Sequence, residues 1–306
     1  MILCVSPNLC YDRVLVVRGF VPGQVHRAEQ AVPLASGKGL NVARVVQALG
    51  GGIMVVGFVS GEVGRAIARG ARDRGLSLDA VRVPGESRVC TLIVDPGSGE
   101  TVINEAGVHV NDKGVQALRR RVRRHLDGAT VLALTGTLPP GAPPDLFARL
   151  VGEAAPRTTI LDTSGESLRH GLKASPSVVK CNRREFEEVL GRALPSVADV
   201  AVASGQLLTQ GVGCAIVTLG EEGAVLALRE AAWLLRPPRV EQVSTIGAGD
   251  SFTGGLAVGL LRGLGLVDAA RLGMAAAASD VTTLLPGHVE AEAVQALLPQ
   301  VAVQIA

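Results

Sequence analysis

Short apolar runs alternate with amphipathic stretches along most of this chain. Ile2 to Val5 is continuously apolar and stops at Ser6-Pro7-Asn8, the pattern of a short buried strand. Segments 13–17 and 25–32 read as extended, and Ile53 to Val59 reads as a core strand followed by a helix over Glu62 to Arg74. Between them Val42, Val45, Val46 and Leu49 fall on one side of a helix. Val115, Leu118, Val122 and Leu126 form a second helical stripe, which Asn111-Asp112 is placed to cap. Further strands are expected at Val131–Leu134, Thr158–Leu161, Val178–Lys180, Cys214–Leu219 and Ala224–Leu228, with helical segments between several of them. Such alternation signals βαβ units and a parallel sheet, an α/β fold. Phe252, Leu256, Val258, Leu260 and Leu261 mark a buried helix near the C-terminus.

One segment breaks the alternation. Arg88 to Asp95 and Glu100 to Asn104 are β-prone runs joined by Pro96-Gly97-Ser98-Gly99, a strong hairpin signal. It is expected to belong to a separate small sheet with the extended segments near 13–32. That sheet would form a lid, from about 12–34 and 87–106, on a single domain spanning 1–306. A lid of this kind excludes water from a site beneath it. Its open edge is costly to leave unpaired, which favours a homodimer through the lids. No internal repeat or low-complexity linker divides the chain.

Composition sharpens this picture in three respects. Hydrophobic residues make up 47% and aromatics only 2%, so the core is aliphatic, as suits a parallel sheet covered on both faces. The net charge of +2 gives no general attraction to nucleic acid or membrane. Arg119, Arg120, Arg121, Arg123 and Arg124 crowd one helix, but without interleaved aromatics they read as a solvated face. Five cysteines lack pairwise metal spacing and read as buried or free thiols in a reducing compartment. There is no signal-peptide pattern at the N-terminus and no apolar run long enough to span a bilayer, so a cytoplasmic protein is expected.

The candidate chemistry centres on Ser244-Thr245-Ile246-Gly247-Ala248-Gly249-Asp250, just before the buried C-terminal helix. Gly247 and Gly249 permit a tight turn that a ligand can approach closely. Free amides at a helix N-terminus then make an anion site. Asp250 would repel a phosphate if it only bound one. It makes sense as a base that takes a proton from an attacking hydroxyl, the design of a kinase for an alcohol. A plain helix-entry turn is the simpler reading of these four residues alone. Phe252 stands where a dinucleotide fingerprint needs its third glycine. Ser36-Gly37-Lys38-Gly39 lacks the Ser/Thr and upstream glycine of a Walker A loop. Lys38 and Asn41 enter a helix from this second glycine-rich loop, placed for an anionic or polyol ligand. Asp12, Gly136-Thr137, Asp162, Asn182 and Gly220 all follow extended segments, where ligands of parallel sheets gather.

Taken together and in order, these motifs resemble the ribokinase-like (PfkB) carbohydrate kinases, in particular the 1-phosphofructokinase and tagatose-6-phosphate kinase branch. The resemblance covers nearly the whole chain. Ser244 to Asp250 matches the C-terminal signature, and Ala35 to Ala43 the Gly-Lys-Gly-x-Asn-x-Ala signature. Asn8-Leu9-Cys10-Tyr11-Asp12 and Lys180-Cys181-Asn182-Arg183-Arg184-Glu185 match two further branch motifs. Gly136-Thr137-Leu138-Pro139 and Leu219-Gly220-Glu221-Glu222-Gly223 fall in sequence order with them. Four positions depart from the pattern: Ser36, Cys90, Cys181 in place of a proline, and Ser244 in place of Asp or Asn.

The resemblance implies a three-layer αβα fold with a mainly parallel sheet and a small β lid. It implies Asp250 as catalytic base and the amides of Gly247, Ala248 and Gly249 around the transferring phosphoryl group. Asp12, Gly37, Asn41 and Thr137 are implied in sugar binding, and Lys38, Arg88 and Arg27 in clamping a phosphate already on the sugar. ATP is expected near Lys180, Asn182, Thr218, Gly220, Gly223, Gly247, Gly249, Ala276 and Ser279. Asn182 and Glu185 are implied in positioning Mg²⁺, through water. The expected reaction is ATP-dependent phosphorylation of a ketohexose phosphate, with fructose 1-phosphate first, then tagatose 6-phosphate or fructose 6-phosphate. A kinase for an unphosphorylated sugar or nucleoside, and a sugar-sensing protein on a kinase scaffold, are the alternatives.

Overall fold

The computed structural model describes residues 1–306. Its central sheet holds ten strands in the order β14-β13-β12-β11-β10-β9-β8-β1-β4-β5. The seven from β11 to β5 pair in parallel, and β12, β13 and β14 continue the sheet antiparallel at one end. In chain order these are β1 (Ile2–Asn8), β4 (Ile53–Val59), β5 (Leu78–Arg82), β8 (Val131–Thr135), β9 (Thr158–Asp162), β10 (Val178–Asn182), β11 (Cys214–Thr218), β12 (Ala224–Ala227), β13 (Ala232–Arg236) and β14 (Ala302–Ile305). The smaller sheet, β3-β2-β6-β7, is built from β2 (Cys10–Val16), β3 (Gln30–Ser36), β6 (Arg88–Asp95) and β7 (Gly99–Asn104).

The apolar runs are continuous because both faces of the central strands are covered. Successive side chains of a strand point to opposite faces. Ile2 and Cys4 therefore enter one core while Leu3 and Val5 enter the other. The same division separates Val131 and Ala133 from Leu132 and Leu134, and Cys214 and Ile216 from Ala215 and Val217. The first core packs under α1 (Lys38–Ala48), α2 (Gly61–Asp73), α8 (Ala248–Leu261), α9 (Leu266–Asp280) and α10 (Ala291–Leu297). The second packs under α3 (Asp112–Leu126), α4 (Leu146–Ala154), α5 (Gly165–Leu172), α6 (Arg183–Leu190) and α7 (Val197–Thr209). The architecture is thus three-layered, helices on both faces of one sheet. No helix is long and apolar enough to cross a membrane.

Several elements differ from the sequence reading. The extended segment expected at 25–32 lies at Gln30–Ser36, where it pairs antiparallel with β2 and runs into α1. Val25 is fully exposed in the connecting loop, so its β-branched side chain signalled no strand. The sequence reading names no strand at β5, β13 or β14: β5 and β14 lack the long apolar runs of the centre, β14 is exposed throughout, and β13 is a partly exposed apolar run that the reading passes over. Asn111 caps α3 as expected, accepting a hydrogen bond from the Gly114 amide at 3.1 Å. The arginine face of α3 is paired rather than simply solvated. Arg119 and Arg123 bind Glu153 of α4, while Arg121 and Arg124 pair with Asp79 of β5.

Candidate active site

The Gly247–Asp250 turn opens α8, with Gly247 as its N-cap at φ 100°. A side chain there would be strained by that φ and would also strike Pro286, whose Cβ lies 2.5 Å from an added Cβ. The Ala248 amide donates to the Thr245 carbonyl at 3.3 Å, while the Gly247 and Gly249 amides have no partner in the chain, and unpaired amides at a helix start are the arrangement that binds anions. Lys180 adds a charge beside them: its Nζ lies 3.1 Å from where a Cβ on Gly249 would stand.

Asp250 is the third residue of α8 and is buried. Burial pushes its carboxyl up to about 6, with Asp162 adding to the rise and Lys38, Lys180 and Asn41 opposing it. Such a group is ionised at neutral pH yet basic enough to accept a proton from a hydroxyl. Asn41, one turn into α1, donates from Nδ2 to Asp250 Oδ2 at 2.7 Å. Its Oδ1 accepts from Ser36 Oγ at 3.0 Å and from Arg44 Nη2, so the amide is held from both ends. Arg44 in turn donates to the carbonyls of Ala35 and Pro286, joining β3, α1 and the segment after α9. Asn41 therefore orients the Asp250 carboxylate in this structure, a contact that its motif did not announce.

Asp162 is the hub beneath this turn. As the last residue of β9 it shares the face of Ile160, toward α1 and α8. Its Oδ1 accepts from Lys38 Nζ at 3.0 Å, and its Oδ2 from Lys180 Nζ at 3.0 Å and Thr253 Oγ1 at 2.7 Å. The carboxyl is fully buried; burial opposes its charge, but the two lysines and Thr253 prevail and hold it well below the usual range. Asp162 and Asp250 drive Lys38 in the opposite direction, far above an ordinary lysine despite its burial. Two ammonium groups thus face two carboxylates, and the centre is electrically balanced. The sequence placed Asp162 at a strand end, but only the fold shows that two distant lysines converge on it.

Other expected residues are distributed around this centre. Thr137 Oγ1 accepts from Asn8 Nδ2 at 3.1 Å, just past β8. Gly37 is the N-cap of α1 at φ 100°. Asp12 is buried on β2, where burial raises its carboxyl against hydrogen bonds from Cys10 and Ser36. Arg88 donates to the Asn8 carbonyl at 2.9 Å, while its Nε is buried without a partner. Arg27 is exposed on the β2–β3 loop and forms no ion pair. From the small sheet, Glu100 binds the amide and hydroxyl of Thr245 at 2.9 and 2.5 Å, tying β7 to the α8 turn.

A cavity of about 800 Å³ opens beside the turn, between the end of β11, the 236–245 segment, α8 and α9. Thr218, Gly220, Gly223 and Gly249, four of the residues implied in ATP binding, line it. Ala276 and Ser279 do not line it: both are buried, and Ala276 packs against Gly255 of α8. Met274, Ala277, Ala278 and Val281 form that wall instead, because a one-residue step along α9 turns a side chain by about 100°. Asn182 and Glu185 cap the start of α6 reciprocally. Glu185 Oε2 accepts from the Asn182 amide at 2.9 Å, and its Oε1 is free of protein partners. An Asn oxygen and a free carboxylate oxygen suit a hard divalent cation that keeps most of its waters.

A buried carboxylate able to accept a proton, beside the N-terminal amides of a helix at the strand ends of an α/β sheet, suits a phosphotransferase with an alcohol acceptor. Comparison with known proteins agrees. The family model described as pfkB family carbohydrate kinase matches residues 1–290, and the chain belongs to that family. It is 32% identical over 306 residues to 1-phosphofructokinase of Escherichia coli strain K12, covering 98% of this chain and 97% of that protein. It is 35% identical over 278 residues to 1-phosphofructokinase of Rhodobacter capsulatus, covering 90% of this chain and 88% of that protein. Among solved structures, phosphofructokinase-2 from Escherichia coli in complex with potassium superposes with a TM-score of 0.90 at 25% identity, covering 98% of each chain. Ribokinase from Thermotoga maritima shares the fold, with a TM-score of 0.80 at 23% identity and coverage of 98% and 99%.

Proposed function

We propose that this chain transfers the γ-phosphoryl group of ATP to a ketohexose phosphate, with fructose 1-phosphate as acceptor and fructose 1,6-bisphosphate as product. The carrying observation is Asp250: a buried carboxylate near pH 6, oriented by Asn41, in the first turn of the helix whose amides form the anion site. The acceptor hydroxyl approaches Asp250, which removes its proton as the oxygen attacks phosphorus. The Gly247–Gly249 amides and the Lys180 ammonium oppose the charge gathering on the phosphoryl oxygens. ATP occupies the 800 Å³ cavity, its adenine against the Met274–Val281 wall. Asn182 and Glu185 would hold Mg²⁺, which supplies charge neutralisation for the polyphosphate.

Because Lys38 and Lys180 are already balanced by Asp162 and Asp250, a second phosphate on the sugar needs further cations. Arg88, with an unpartnered buried Nε, is the candidate beside Lys38, and Arg27 comes from the loop before β3. Asp12, Gly37, Asn41 and Thr137 face the remaining hydroxyls. The small sheet acts as a lid, latched by Glu100 on Thr245. Val102 and Ile103 are exposed on its outer strand, which favours a homodimer through the lids. Five unpaired thiols fit a reducing cytoplasm.

ADP release across fructose 1-phosphate, fructose 6-phosphate, tagatose 6-phosphate, fructose, ribose and adenosine tests the assignment. A kcat/KM lead for fructose 1-phosphate that Arg88→Ala abolishes through KM is the expected result. Preference for an unphosphorylated acceptor, or an unchanged KM in Arg88→Ala, would refute the phosphate clamp.

A further inference from the structure

Cys10 and Asp12 are two residues apart on β2, so their side chains share one face of the small sheet. Cys90 of β6 pairs with Asp12 across the parallel β2–β6 ladder. The two sulfurs and an Asp12 carboxylate oxygen all lie within 4.8 Å of one another, and Cys10 Sγ donates to Asp12 Oδ1 at 3.0 Å. All three residues are buried. A tetrahedral Zn²⁺ with bonds of about 2.3 Å to sulfur and 2.0 Å to oxygen needs S···S near ~3.8 Å and S···O near ~3.6 Å. Small side-chain adjustments therefore suffice to close the three atoms around one ion.

We propose that Cys10, Asp12 and Cys90 form a site for one thiophilic divalent cation of the Zn²⁺ and Cd²⁺ class. Two soft sulfur donors select such ions over Mg²⁺, which prefers oxygen throughout. On binding, the two thiols release their protons to solvent, two metal–thiolate bonds and one metal–carboxylate bond form, and a fourth position is left for water. The three ligands then carry three negative charges against two on the ion. Arg44 and Arg88, both of which stabilise the charged form of Asp12, oppose the remainder. The other cysteines are poor competitors. Cys4, Cys181 and Cys214 belong to no cluster of three ligating groups. If Asp12 holds a sugar hydroxyl, as the proposed function has it, the bound cation takes that carboxylate away and excludes the sugar.

Titration of the wild-type protein with Cd²⁺, followed by thiolate-to-metal charge-transfer absorption, tests the site directly. One equivalent should saturate the band and a chelator should remove it. Cys10→Ser and Cys90→Ser should each weaken binding at least tenfold, while Cys214→Ser should not. No band at one equivalent, or a band that survives both Cys10→Ser and Cys90→Ser, overturns the proposal. Should those variants fail to fold, native mass spectrometry of the wild-type chain decides: a single Cd²⁺ adduct must displace at least two protons, and one that displaces none overturns it. Inhibition is measured separately. Cd²⁺ raising the KM for the phosphosugar but not for ATP supports both the site and the role of Asp12. A specific site without that competition leaves the cation site standing and refutes sugar binding by Asp12.

Discussion

Replacing Asn41 by alanine removes the one side chain that donates a hydrogen bond to Asp250, the proposed base, at 2.7 Å from its Oδ2. That bond favours the ionised carboxylate, so its loss must raise the pKa of Asp250 further. A hydrogen bond to a charged group contributes about 1.5–3 kcal/mol, and one pH unit corresponds to about 1.4 kcal/mol. Complete loss would move the carboxyl by roughly one to two units, and water entering the space of the amide offsets part of it. An upward shift of about one unit is therefore expected, from the starting value of about 6. The assay is the pH dependence of kcat/KM with saturating ATP, since that ratio reports groups of the enzyme before the sugar binds. The acid limb should stand near pH 6 in the wild type and near 7 in Asn41→Ala, the variant losing most at low pH and recovering above pH 8. An unmoved limb with a uniform loss at every pH would refute the orienting role and leave Asn41 as a sugar contact alone.

Asp162→Asn removes the charge that Lys38 and Lys180 share and leaves the buried Lys180 ammonium and the partly exposed Lys38 ammonium facing an amide. Breaking a buried pair costs about 3–5 kcal/mol, which for a chain of this length lowers Tm by roughly 5–8 °C; an unchanged melting curve would show that the hub is dispensable. Asp280 is buried at the end of α9, Oδ1 accepting from the His288 amide and Oδ2 without a partner, and burial raises it to about 8. A carboxyl raised on folding stabilises the protein fully below its unfolded value near 3.8, and that contribution is lost as pH rises through about 8. Asp280→Asn should therefore flatten the fall of Tm between pH 5 and 8; parallel curves for the two proteins would contradict the assignment. Sedimentation velocity of Ile103→Glu should show monomers where the wild type is dimeric, and a wild-type monomer would end the lid-edge interface.

The alternation of apolar runs with amphipathic helices by itself determined the layered α/β fold, because strands covered on both faces must be continuously apolar. The Gly247–Asp250 turn was equally legible, since its chemistry is local: glycines, amides and a carboxylate within four residues. The hairpin at 88–104 was plain from its turn residues. Tertiary structure decided what depends on convergence. Lys38, Lys180 and Thr253 lie far apart along the chain, and only three neighbouring elements around β9 bring them to Asp162. Which residues of α9 line the cavity was also a tertiary matter, because small side chains on every face of that helix give no sequence signal for which face is free. Neither the Asn41–Asp250 contact nor the closeness of Cys10, Asp12 and Cys90 could be read from spacing. Each arises where separate elements meet, and the registers and packing that join them are properties of the whole fold.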